Sequence, residues 1–308
     1  MPRSLVIGGN GFLGSHLVDE LAALGHEVTA FDRFSADSTS YAATGVRRIV
    51  GDFLNRADVA DAVAGQDNVW HFLSTTTPAS AENDPELDVR TNVTASIALF
   101  ELAARAGVEK LYFASTGGAI YGDQPHASIA EEVLPQPISP YAIGKLAIEG
   151  YLRYFERKQG LQSVSFRISN PYGPRQRSNK KQGVIPIFLQ RVADGLPLTV
   201  FGDGSMVRDF IYVEDAARRM ASVAGKPTAH SLYNIGSGNG TSVSAVIDVV
   251  REVTGRDVSI ESHPQPSTFV VHSVLDSSRF DSEFDSAAIL PLGEGIRRTW
   301  LDTIGKNE

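Results

Sequence analysis

The sequence predicts an α/β protein, a doubly wound parallel sheet followed by a smaller α/β C-terminal domain. Three observations carry that expectation. Short apolar strands alternate with helical segments over the first two-thirds of the chain. Closely spaced glycines end the first strand and open the first helix. From about Asn170 the texture changes to turn-rich segments and shorter helices.

The strands are expected at Ser4–Gly8, Glu27–Phe31, Arg47–Val50, Val69–Leu73, Lys110–Ala114 and Ser163–Ile168. Several read as continuous apolar runs, as in a sheet buried on both faces. Helical stretches between them are Phe12–Leu24, Ala57–Ala64, Val93–Ala106 and Tyr141–Gln159, with later ones near Ile185–Ala193, Val243–Thr254 and Gly293–Asp302. We expect residues 1–170 to form the first domain, the chain returning to it near 209–236. Residues 171–308 would form a substrate domain, with a cleft between the two.

Composition narrows the function classes. Among 308 residues, 36 acidic and 28 basic side chains give a net charge of −8. That balance disfavours nucleic acid and anionic membranes as partners, so a phosphate-bearing ligand must be met by local donors. The absence of cysteine excludes disulfides, thiolate metal sites and a cysteine nucleophile. His263 and His272 lack zinc-ligand spacing, and no metal is expected. No stretch approaches the ~18 apolar residues of a membrane span, and the N-terminal run lacks a secretory signal's apolar core. The expected location is the cytoplasm.

The run Gly8-Gly9-Asn10-Gly11-Phe12-Leu13-Gly14 has the form of a dinucleotide-binding turn. Gly8 permits the tight turn, Gly11 lets backbone approach a pyrophosphate, and Gly14 lets the helix pack closely. Amides at the start of the following helix, at Phe12 and Leu13, face the phosphates. Asp32 ends the second strand, where a carboxylate accepts from both ribose hydroxyls and repels a 2′-phosphate, so NAD is expected over NADP. Arg33 beside it either serves a 2′-phosphate or is a solvated loop residue. Asp52, in Gly51-Asp52-Phe53, contacts the adenine rim or is a plain strand-end turn residue.

Tyr141 and Lys145 stand at i and i+4 on one helical face, just after Pro140. A free phenol titrates near pH ~10, so a base role needs a neighbouring positive charge, which a lysine ammonium supplies. Thr116 and Ser115 follow the Lys110–Ala114 strand, at the sheet edge where open α/β sheets bind ligands. Either hydroxyl can relay a proton between a substrate and Tyr141, and the other caps the turn. His71 ends a strand and is read as packing. Arg175, Arg177, Lys180 and Lys181 form a basic loop cluster, either solvated or a lid over a substrate phosphate.

With these motifs in order along nearly the whole chain, the sequence resembles the extended short-chain dehydrogenase/reductases, in their NAD-dependent epimerase/dehydratase branch. The likeness also rests on Asn92, on Arg167-Ile168-Ser169-Asn170-Pro171-Tyr172-Gly173-Pro174, and on Gly202-Asp203-Gly204 with Arg208-Asp209-Phe210. It implies a Rossmann domain with Tyr141 as base and Lys145 as its ribose-binding partner. Thr116 would be the relay. Phe72 and Leu73 would line NAD by backbone, Asn92 would support it, Phe53 would lie at the adenine side, and Ser169 would touch the nicotinamide end. Asn170 and Arg208 would hold a nucleotide-sugar diphosphate, although Arg208 could instead pair with Asp209. A homodimer through Val93–Ala106 and Tyr141–Gln159 is also implied.

The reaction the resemblance implies is 4-epimerisation of a UDP-hexose, through a transient 4-keto sugar. A net sugar-nucleotide oxidoreductase or dehydratase, and a non-catalytic NAD-binding regulator, are the alternatives. Dehydratases of the branch carry Thr-Asp-Glu where this chain has Thr116-Gly117-Gly118. Its epimerases commonly place Arg-x-x-Asp where this chain reads Pro266-Ser267-Thr268-Phe269, so a second diphosphate clamp is missing or replaced. Met206 stands where a polar residue is frequent.

Overall fold

A computed structural model describes residues 1–34, 39–176, 183–284 and 287–305. The order begins β1 (Arg3–Ile7), α1 (Phe12–Ala23), β2 (Glu27–Asp32), β3 (Arg47–Val50), α2 (Arg56–Val63), β4 (Asn68–His71), α3 (Pro78–Asn83) and α4 (Pro85–Asp88). A π-helical turn at Val89–Val93 leads into α5 (Thr94–Arg105), then β5 (Lys110–Thr116), α6 (Pro140–Gln159), β6 (Gln162–Ile168), β7 (Asn170–Tyr172) and α7 (Val184–Ala193). There follow β8 (Leu198–Phe201), β9 (Val207–Tyr212), α8 (Val213–Ala221), β10 (Leu232–Ile235), β11 (Gly240–Ser242) and α9 (Val243–Thr254). The chain closes with β12 (Ile260–His263), β13 (His272–Ser273), α10 (Ser278–Glu283) and α11 (Leu292–Gly305).

Two compact units result. The first comprises Met1–Thr116, Ser139–Arg167 and Ala217–Tyr233; the second comprises Gly117–Ile138, Ile168–Ala216 and Asn234–Glu308. The seven-stranded sheet has the order β10-β6-β5-β4-β1-β2-β3, doubly wound as the sequence predicts. The chain winds outward from β1 to β3, then resumes at β4 on the other side of β1. Connections leaving β1 and β4 therefore diverge, and a crevice opens at the carboxyl ends of those strands, where such sheets bind ligands. Trp70, Tyr112 and Phe166 stack across β4, β5 and β6, with Trp70 and Tyr112 ring centroids 3.8 Å apart. All three are buried, which explains the uninterrupted apolar character of their strands.

Local signals set the helix limits. Ser139 caps α6 by accepting from the Ala142 amide, Pro140 occupies its first turn, and Gly160 ends it at φ 72°. The short helices α3 and α4 are absent from the expectations, although Thr77 and Asp84 cap them and Pro78 and Pro85 start them. β4 stops at His71, two residues earlier than expected, which releases Phe72 and Leu73 into the following loop.

In the second unit, β9 pairs with β7, β11 and β13, and β8 pairs with β12. A core of Phe188, Leu189, Val246, Ile247, Ile296 and Trp300, among others, joins α7, α9 and α11. Among the described residues no helix is long and apolar enough to cross a membrane.

Candidate active site

The glycine turn fits a dinucleotide. Gly8 has φ +85°, and a Cβ on it would meet the Leu73 backbone nitrogen at 2.9 Å. A Cβ on Gly14 would overlap the Gly8 carbonyl oxygen, so only glycine lets α1 start so close to the turn. Gly11 precedes that helix with no side-chain cap, and the first-turn amides of Phe12 and Leu13 remain for phosphate oxygens. Asp32 Oδ2 accepts from the Asn10 amide at 3.1 Å, which fixes the carboxylate at the end of β2. Arg33 is exposed, its amide donating to Asp32 Oδ1 at 2.8 Å. These residues suit NAD.

Asp52 is exposed and accepts the Leu54 amide through Oδ1 at 2.9 Å, a strand-end turn. Phe53 is buried, its ring 5.0 Å from that of His71, so only its backbone is left to face a ligand. His71 packs as expected. Burial pushes its imidazole down to about 3, and Nε2 lies 2.8 Å from Ser96 Oγ. It is neutral over the working pH range.

On α6, Lys145 Nζ donates to the Ala114 carbonyl at 2.8 Å and lies 5.7 Å from the Tyr141 ring centre. Burial pushes the Tyr141 phenol up to about 12, and the Asp88 charge acts in the same direction. Burial brings Lys145 down to about 8, against the opposing effects of Asp88 and Glu149. The Tyr141 and Thr116 hydroxyls have no hydrogen-bond partner among the described residues. Ser115 does not share that position. Successive side chains of a strand point to opposite faces, and Ser115 Oγ donates to buried Glu149 Oε1 at 2.5 Å. Arg167 closes on the same carboxylate, Nε to Oε1 at 3.1 Å and Nη2 to Oε2 at 2.8 Å.

Asn92 lies in the π-helical turn, a feature frequent at functional sites. Its Oδ1 accepts from the Thr75 amide and hydroxyl, both at 2.9 Å, and its Nδ2 donates to Thr76 Oγ1 and Asp88 Oδ1. It thereby fixes the loop that follows β4. Asp88, Glu149 and Arg167 escape a reading by motif spacing. Glu149 had a signal, since it falls four residues after Lys145 on the buried stripe of α6.

In the second unit, the Ser169 hydroxyl is buried and unpartnered among the described residues. Asn170 donates to the Asp209 carbonyl at 3.0 Å. Its side chain also fills the space at Gly118, where a Cβ would lie 3.3 Å from Asn170 Oδ1. Arg208 does not pair with Asp209. Buried Asp209 accepts instead from Ser237, Gly238 and Leu275. The Arg208 guanidinium donates to the carbonyls of Val207, Val270 and Val271, and burial lowers its pKa. Three neutral carbonyls steer that cation, and the nearby Asp123 carboxylate favours its charged form. Met206 is buried in the core of this unit, and Phe269 packs against the Phe201 ring at 5.6 Å. Arg177, Lys180 and Lys181 lie outside the described residues.

Comparison with known proteins agrees with this geometry. Residues 4–236 match the model of the NAD dependent epimerase/dehydratase family. A UDP-glucose 4-epimerase of Mycolicibacterium smegmatis is 31% identical over 304 residues, spanning 96% of this chain and 97% of its own. The crystal structure of the Thermus thermophilus UDP-glucose 4-epimerase in complex with NAD superposes with a TM-score of 0.91 at 35% identity, over 98% of this chain and 99% of that one. A dTDP-glucose 4,6-dehydratase of Streptomyces griseus is also 31% identical, over 96% of this chain and 92% of its own. A match over three-quarters of the sequence, seated on a glycine turn and a Tyr–Lys helix that suit the cofactor, places this chain in the NAD dependent epimerase/dehydratase family, as an enzyme that uses NAD.

Proposed function

We propose that the protein is a nucleotide-sugar 4-epimerase acting on a UDP-hexose, UDP-glucose/UDP-galactose or their N-acetyl forms. The observation that carries this reading is the pairing of two free hydroxyls, Tyr141 and Thr116, with a glycine pair where dehydration would place an acid and a base. A Cβ at Gly118 would lie 3.3 Å from Asn170 Oδ1, so a side chain there would press on Asn170. NAD supplies the hydride acceptor and the hydride that returns. Tyr141 takes the proton of the sugar O4, directly or through Thr116, and gives it back after the 4-keto sugar has presented its other face. Lys145 holds a ribose hydroxyl and keeps positive charge beside the phenol. Gly8, Gly11, Phe12, Leu13 and Gly14 hold the pyrophosphate; Asp32, with Arg33, Asp52 and the Phe53 backbone around it, holds the adenosine. Phe72, Leu73, Asn92 and Ser169 serve the nicotinamide end, and Asn170 and Arg208 the sugar diphosphate.

Incubation with UDP-glucose, UDP-galactose and their N-acetyl forms, followed by proton NMR, tests the assignment. Interconversion at C4 without accumulation of NADH is expected. A pure protein that epimerises none of them, with or without added NAD, is not this enzyme; a 4-keto-6-deoxy product would instead favour the dehydratase chemistry of the Streptomyces griseus relative.

The exposed Ile143, Tyr151 and Tyr154 on α6 support a homodimer through α5 and α6. Light scattering at micromolar concentration should give twice the chain mass, and a monomer would count against the pairing.

A further inference from the structure

Asp88 is a buried charge that the proposed mechanism leaves unused. Its side chain lies at the end of α4, 2% exposed. Oδ1 accepts from Asn92 Nδ2 at 2.8 Å and from Thr76 Oγ1. The other oxygen, Oδ2, rests on the backbone of α6 at Gly144, where a Cβ would overlap it. Gly144 stands between Tyr141 and Lys145, so its missing side chain seats a carboxylate beside both. No ion-pair partner reaches Asp88 among the described residues. A carboxylate kept in the interior on neutral donors is costly, which directs attention to what its field acts on.

Few charges compete there. From α6, Tyr141, Lys145 and Glu149 face this region, and Glu149 is already closed by Arg167 of β6. From β4, His71 is neutral. Charges on the other elements packed against α6 sit at the surface or at its edge: Glu82 of α3, the Glu86–Arg90 pair, Glu101 with Arg56, Arg105, and Lys110 at the start of β5.

We propose that Asp88 is a positioning residue of the reaction, a fixed negative charge seated in the Gly144 gap that keeps buried Lys145 in its ammonium form. Its effect on the two partners agrees in sign. The Asp88 charge opposes the downward effect of burial on Lys145 and reinforces the upward effect on Tyr141. Removing it must therefore lower both midpoints, because a nearby negative charge favours the protonated form of each group. The assignment deepens the functional proposal only in taking the Tyr141–Lys145 pair as catalytic.

The test uses the full chain without turnover. Lysine side chains are isotope-labelled, the Lys145 resonance is assigned with Lys145→Met, and its titration is followed by NMR. Asp88→Asn should move the Lys145 midpoint down from about 8 by on the order of one pH unit. Thr76→Val removes a hydrogen bond to the carboxylate and keeps the charge, so it should leave the midpoint in place. An unmoved midpoint in Asp88→Asn, or an equal shift in Thr76→Val, overturns the proposal. Thermal unfolding of Asp88→Asn, Lys145→Met and the double variant is the second measurement. Charges coupled through their fields predict that the combined loss is smaller than the sum of the single losses, up to rescue of a poorly folding Asp88→Asn, whereas additive losses overturn the proposal. Absence of epimerisation would sink the functional reading and leave this one standing; an unmoved Lys145 would do the reverse.

Discussion

Tyr141→Phe is expected to lower kcat by about 10³-fold while the protein stays folded and binds NAD nearly as well as before. The change removes one oxygen. The ring keeps its packing on α6, and Lys145 keeps its hydrogen bond to the Ala114 carbonyl. What is lost is the group that accepts and returns the O4 proton, a deficit of roughly 4 kcal/mol in the transition state. Because the Tyr141 hydroxyl has no partner among the described residues, its removal leaves no buried donor or acceptor stranded. Loss of stability should therefore be small, and a kcat defect can be read as chemistry. Steady-state kinetics with an NAD titration and a thermal melt check all three parts. Retention of more than about a tenth of the wild-type kcat would remove Tyr141 from the role of base.

The second large effect falls on stability. Arg167→Met strands the Glu149 carboxylate, which is 2% exposed, with Ser115 as its remaining close donor. Breaking one side of a buried ion pair costs about 3–5 kcal/mol, because the abandoned charge stays in the interior. For a chain of 308 residues that corresponds to a fall in Tm of about 5–8 °C. Replacing both partners together, Arg167→Met with Glu149→Leu, should recover most of the loss, since the expense lies in the unpaired charge. Calorimetry on the three proteins decides it. A double variant as unstable as Arg167→Met would show that shape, rather than charge, is what the pair contributes.

Motifs that lie within one turn of chain are legible in the amino-acid sequence alone. The glycine turn, Asp32 at a strand end and the Tyr141–Lys145 spacing each show their chemistry inside a few residues, and the sheet is legible from its apolar runs. The partners behind them are not, because they come from distant segments. Asp88 meets Gly144 from another helix far back in the chain, and Glu149 is enclosed by Ser115 and Arg167 from two strands. Ser115 and Thr116 illustrate the limit. As neighbours in sequence they read alike, and only the pleat of β5 separates them, one toward Glu149 and one left free. For Phe53 the resemblance implies a place at the adenine side without saying which atoms serve it; its ring lies in the core against His71, which leaves the backbone.

The π-helical turn at Val89–Val93 carries a consequence about chain length. A π turn holds one residue more than the α-helical path it replaces. Delete Val89, Arg90 or Thr91 and the backbone can relax into ordinary helix. Everything on the N-terminal side then rotates by about 100° relative to α5. Asp88 would swing off its seat on α6, while Asn92 and the helix after it would keep their places. In this short stretch the number of residues matters as much as their identity, and an insertion or deletion should be harder to tolerate than most substitutions.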